Sequence, residues 1–194
     1  MLQETHEHDE AFDATGDAKL DRNRLVDPKD NYLDRVNVLR DEYGADIVVL
    51  LVEFANDPNT GKPVCGWSYI MDQTPGSWFE KYAYSVVIRH CAAGDYSFAH
   101  EIGHLMSARH DWIQDPKDNK PFAFNHGHLN TAPTAPGVGK WVTMMSYRGS
   151  CGPNCSRIET PGSQMNGERP AGRYRRRRRD LRNQRAREQW RTMR

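Results

Sequence analysis

Apolar residues recur at helical spacing in DPKDNYLDRVNVLRDEYG, where Tyr32, Val36, Leu39 and Tyr43 share one face. Asp27 can cap this helix, Pro28 suits its first position and Gly44 can end it. The next run, ADIVVLLVE, is continuously apolar and β-branched, which predicts a central strand buried on both faces. CGWSYIM and YAYSVVIRH predict two more strands, the first at an edge. Paired antiparallel, they bring Cys65 close enough to Cys91 to bond. DYSFAHEIGHLMSA predicts a second helix, and beyond it the chain turns polar and rich in Pro and Gly. Strands mixed with two helices predict an α/β (α+β) fold. Residues 1–26 read as an irregular acidic lead-in, residues 27–160 as the folded domain, and residues 161–194 as a basic tail expected to be disordered.

Charge supports that partition. The net charge of +1 over 194 residues hides a split, because the stretch from Glu168 onward carries 12 arginines against 3 acidic residues. The other 167 residues hold 15 basic and 23 acidic side chains. No apolar run reaches membrane-spanning length, so no membrane span is expected. The four cysteines, Cys65, Cys91, Cys151 and Cys155, form no CxxC pair, which argues against a zinc ribbon. Their even number suits two disulfides and an oxidising compartment. MLQETHEHDEAFDATGDAKLD has no apolar leader, so an exported protein is expected to carry its signal outside these residues.

The candidate chemistry lies in YSFAHEIGHLMSARHD. A helix advances about 100° per residue, so Phe98, Ile102 and Leu105 share one arc and are expected to pack on the sheet. His100 and His104 lie on the opposite side, one turn apart, where two neutral imidazoles can bind one Zn²⁺. His110 is the candidate third ligand, and the chain must turn back after Ser107 to deliver it. Glu101 follows the first histidine, so its carboxylate points beside the metal. There it can take a proton from zinc-bound water as hydroxide attacks a carbonyl, then pass it to the leaving amine. Two helical histidines alone are often surface or satisfied core residues; the third histidine makes the metal reading the stronger one. His126 and His128 in FNHGH read as a turn and not as a second metal site.

Downstream, WVTMMSYRGSC begins 31 residues after His110. HEIGHLMSARHD followed by TMMSY resembles the metzincin zinc endopeptidases, with their HExxHxxGxxH motif and Met-turn. The neighbouring text is most similar to secreted bacterial proteases of the reprolysin (adamalysin-like) branch, over roughly Asp27 to Arg157. The resemblance implies a twisted mixed β-sheet, an active-site helix and a small irregular C-terminal subdomain. It implies one catalytic zinc on His100, His104 and His110, Glu101 as general base, and Met145 as an apolar floor under the metal. Tyr147 matches a tyrosine that approaches the metal or the oxyanion in the astacin and serralysin branches; a packed aromatic is the alternative. Asp111 matches an acidic residue that orients a ligand or supports the turn. Ser107 departs from the usual glycine, where a positive φ costs serine on the order of 1 kcal/mol. The strand and helix that open such domains before the segment matching Asp27 are not visible in residues 1–26.

The expected function is therefore zinc-dependent hydrolysis of peptide bonds in protein or peptide substrates, outside the cell. Two alternatives stand beside it. One is a zinc-binding but catalytically impaired fragment. The other is a nucleic-acid-binding protein acting through the arginine-rich tail, with binding that collapses as salt rises.

Overall fold

The computed structural model describes residues 12–116, 120–133 and 138–157. The basic tail and the boundary at 160/161 lie outside them.

The first element is a helix, α1 (Ala18–Val26), where an irregular lead-in was expected. Asp17 caps it by accepting from the Leu20 N–H at 2.8 Å. Its buried positions are Ala18, Asp21, Arg22 and Leu25. They keep helical spacing, but two of the four are charged, so no apolar stripe announced the helix. Asp21 accepts from the N–H and hydroxyl of Thr15 at 2.9 and 2.8 Å. The Arg22 guanidinium lies 3.6 Å over the Tyr69 ring and donates to the Ser68 carbonyl at 3.3 Å. Polar partners thus replace the apolar contacts that a hydropathy pattern detects.

Helix α2 (Asp34–Tyr43) starts later than the expected Asp27. Asp27 instead ends α1, and Asn31 adopts φ 66° in the turn between them. The Asp34 carboxylate accepts from the Asn31 N–H at 3.2 Å, which favours the turn over another helical turn. Gly44 ends α2 in the left-handed region, as expected.

The main sheet has the order β1 (Val48–Val52), β3 (Tyr84–Ile88), β2 (Gly66–Ser68). β1 runs parallel to β3, with Leu50 opposite Val86, and β2 runs antiparallel, with Trp67 opposite Val86. Among the described residues β1 is therefore an edge strand, not the central one, and Leu51 is half exposed. The centre is β3, whose five residues are all buried. Continuous apolar character marks both strands; only pairing distinguishes them. β2 lies at the other edge, as expected. Cys65, just before β2, bonds Cys91 across a Cα separation of 5.5 Å.

A 3₁₀ helix (Ser77–Tyr82) leads into β3, and α3 (Arg89–Gly94) leaves it. Helix α4 (Ser97–Leu105) then packs over β2 and β3. A second small sheet, β4 (Leu129–Asn130), β5 (Trp141–Val142) and β6 (Ser156–Arg157), forms the C-terminal part with α5 (Arg148–Cys151). Cys151 bonds Cys155 there. No described helix is long and apolar enough to cross a membrane.

Candidate metal centre and active site

Helix α4 turns its histidines to a cavity, as expected, but its apolar arc is only partly buried. Ser97, His100, Glu101 and His104 are buried, whereas Phe98 is 40 % exposed. Of the apolar arc only Leu105 is buried, in a cluster with Phe79 and Ala83. The histidine face opens on the cavity, and the Phe98 end of the apolar arc is exposed. Burial of charged-type side chains is tolerated because each has a designated partner.

For the two histidines those partners are backbone carbonyls. His100 Nδ1 lies 2.9 Å from the Met144 oxygen, and His104 Nδ1 lies 2.8 Å from the Ala108 oxygen. Each bond holds the proton on Nδ1 and leaves an Nε2 lone pair free. His110 Nε2 stands 3.1 Å from His100 Nε2 and 3.0 Å from His104 Nε2. Burial drives His104 down to about 3 and His110 down to about 4, helped by the neighbouring imidazoles; His100 is lowered for the same first reason. The Nε2 lone pairs of His100 and His104 thus converge with His110 Nε2 on one point. Zn–N bonds of about 2.05 Å in a tetrahedron place nitrogens about 3.3 Å apart, close to these separations. The donor set therefore fits a zinc ion.

His110 reaches this point because the chain reverses after α4. Ser107 takes φ 73°, the conformation expected there. It is 2 % exposed and its hydroxyl has no hydrogen-bond partner. Ser107→Gly is therefore expected to stabilise the fold by about 1 kcal/mol. Thermal melting should show a midpoint about 2–4 °C higher.

The FNHGH segment clamps this turn. Asn125 donates to the Ser107 carbonyl at 2.8 Å, and the Asn125 carbonyl accepts from the Arg109 N–H at 2.8 Å. His126 Nδ1 lies 2.7 Å from the His110 carbonyl, and its ring stacks on Trp112 at 3.6 Å. Neither His126 nor His128 joins a metal-ligand cluster among the described residues. Asp111 is fully buried and ties two turns together. It accepts from the Ile113 N–H at 3.1 Å and from the Tyr147 N–H at 2.9 Å. Asp111 supports the loops that carry His110 and Tyr147.

Glu101 is buried beside the triad. Ser68 donates to its Oε2 at 2.5 Å, and burial pushes its pKa up to about 7 against that bond. Ser68, held in turn by Arg22 of α1, carries no sequence signal. Gly66 makes room for this carboxyl: a Cβ there would stand 2.4 Å from Glu101 Oε1. Gly66→Ala is expected to displace the carboxyl while sparing the fold, lowering kcat by up to roughly 100-fold. Paired kinetics and thermal melts check this split. Gly103 makes room likewise for Met145, whose sulfur would be 2.6 Å from an added Cβ. Met145 thus lies against α4. The Tyr147 ring is 4.8 Å from His110 and 6.4 Å from His100, on the rim and 46 % exposed. Burial of its hydroxyl, then the Glu101 and Asp111 charges, raise its pKa.

Comparison with known proteins agrees with this geometry. The family model for metallo-peptidase family M12 matches residues 1–158, including the stretch read as a lead-in. A peptidyl-Asp metalloendopeptidase of Stenotrophomonas maltophilia (strain R551-3) is 34 % identical over 148 residues, which is 76 % of this chain and 31 % of that protein. The enzyme of the same name from Xanthomonas campestris pv. campestris is 33 % identical, over 76 % of this chain and 30 % of its own length. One from Pseudomonas fragi is 43 % identical over 68 residues, 35 % of this chain and 41 % of that protein. The chain spans about a third of the length of the first two relatives. No solved structure matches it. A match over most of the chain, with three histidines and a glutamate at hand for the family's chemistry, shows that the chain belongs to metallopeptidase family M12, the reprolysin-like metalloproteases.

Proposed function

We propose that this domain is a zinc-dependent endopeptidase that cleaves proteins or peptides beside aspartate, as the name of its relatives says of them. The observation that carries the reading is the convergence of His100, His104 and His110 through Nε2, with Glu101 at their side. Zinc held by the three imidazoles would supply Lewis acidity for the scissile carbonyl and for water. The remaining work falls to the chain. Oε2 of Glu101 is engaged by Ser68, which leaves Oε1 to take a proton from water. A carboxyl whose pKa is near 7 can hold that proton and release it to the leaving amine at neutral pH. The carbonyls of Met144 and Ala108 keep two imidazoles in the ligating tautomer throughout.

Tyr147 is assigned the oxyanion side of the cleft. Tyr147→Phe should lower kcat about tenfold with little change in KM. Unchanged kinetics would leave it as a packed aromatic. The two disulfides support an extracellular site of action, which recovery of the protein from culture medium checks. The proposal as a whole is tested by metal content together with cleavage of an unfolded protein. One equivalent of zinc and proteolysis that stops on chelation are expected; zinc-free protein with full activity would sink it.

A further inference from the structure

The cavity around the three imidazoles holds about 660 Å³, and its lining includes two arginines, Arg148 and Arg157. Arg157, in β6, is partly buried. Its Nη1 donates to the Asp95 carbonyl and its Nη2 to the Ser146 carbonyl at 3.1 Å. Its Nε–H is buried with no partner. A guanidinium offers five donors, so two carbonyls leave most of them unspent.

The charge also lacks an ion-pair partner of its own. Among the described residues, no carboxylate forms an ion pair with Arg157. Asp95 hydrogen-bonds it through a backbone oxygen and attracts it from a distance, while the Asp95 side chain pairs with Arg148 at 3.4 Å. Locally, two guanidinium groups meet one carboxylate. The other acids of the cavity are occupied: Asp57 accepts from the Asn59 N–H at 2.7 Å, and Glu101 accepts from Ser68. Burial, then Arg148, press the Arg157 pKa downward, and Asp95 offsets this only in part. The chain holds this pair together. Arg148 opens α5, the Cys151–Cys155 bond closes the loop after it, and β6 returns with Arg157.

We propose that Arg157, with Arg148 beside it, is the specificity determinant that receives an acidic side chain next to the scissile bond. The assignment rests on the peptidase reading above and gives its aspartate preference a residue. An entering carboxylate supplies the missing counter-ion and accepts charge-assisted hydrogen bonds from the spare donors. The uncharged amide of the same shape does neither.

The test uses two peptides that differ only in one Asp or Asn, offered to the full zinc-loaded chain. The Asp peptide should show a kcat/KM roughly 10- to 100-fold higher. Arg157→Gln should bring that ratio toward one while Asn-peptide cleavage persists. Arg157→Lys should recover part of it, because charge returns without the planar fork. Arg157 also ties Asp95 and Ser146, so the exposed Arg148→Gln serves as a second variant, with a smaller loss of the ratio expected. Binding of both peptides to the Glu101→Gln protein gives a readout independent of turnover. Selective, Arg157-dependent binding without any cleavage by the parent chain would defeat the peptidase reading and leave the subsite standing. Equal cleavage and equal binding of the two peptides, or a preference untouched by both arginine variants, overturns the subsite.

Discussion

Glu101→Gln is expected to reduce kcat/KM by roughly 10³- to 10⁴-fold while zinc content stays at the parent level. The amide is isosteric and can still accept from Ser68 through its carbonyl oxygen, so the local structure has no reason to change. What disappears is the group that holds a proton near neutral pH, a property that burial confers on the acid and that an amide lacks. Metal analysis and peptide kinetics on one preparation decide the matter. Retained zinc with lost activity separates a working peptidase from a zinc-binding but impaired fragment. Retained activity would remove Glu101 from the mechanism.

His104→Ala should lose both zinc and activity, and should also lower stability. His104 is 4 % exposed, and its Nδ1 contact with Ala108 joins α4 to the turn that carries His110. Alanine removes one metal ligand and also leaves the Ala108 carbonyl without that donor. A bound ion at about a thousand times its Kd contributes about 4 kcal/mol to the folded state. Its loss should lower the melting midpoint by roughly 10 °C. Chelation of the parent protein should reproduce the thermal shift, and added zinc should reverse it only in the parent. A variant that still binds one equivalent of zinc would contradict the three-histidine site.

The metal centre was legible because ligand identity and spacing are local properties. His100 and His104 share a helical face at a separation of four, and a turn at Ser107 was required for His110 to reach them. That turn is present, with the backbone conformation anticipated for it. The cleft-facing side of the helix was legible too, whereas the exposure of Phe98 was not. Phe98 and Ile102 had the apolar pattern of a core face, yet the polar side of α4 is the buried one. Hydropathy does not register burial that is compensated by carbonyl partners or a metal. Helix α1 escaped for the same reason, since Asp21 and Arg22 occupy inward positions and take local polar partners. Strand rank also escaped, because β1 and β3 carry similar apolar runs and differ only in their neighbours.

By itself the sequence determined the three-histidine cluster with Glu101 beside it, the antiparallel pair that joins Cys65 to Cys91, and the strained turn at Ser107. Each depends on residues a few positions apart or on one short pairing. Only the tertiary structure decided that Ser68 holds Glu101, that FNHGH clamps the His110 turn, and that Arg148 and Arg157 share the wall of the cavity around the three imidazoles. These contacts join residues up to 33 positions apart, and nothing in the identity of a serine, an asparagine or an arginine names its distant partner. Chain folding alone puts them within hydrogen-bonding reach.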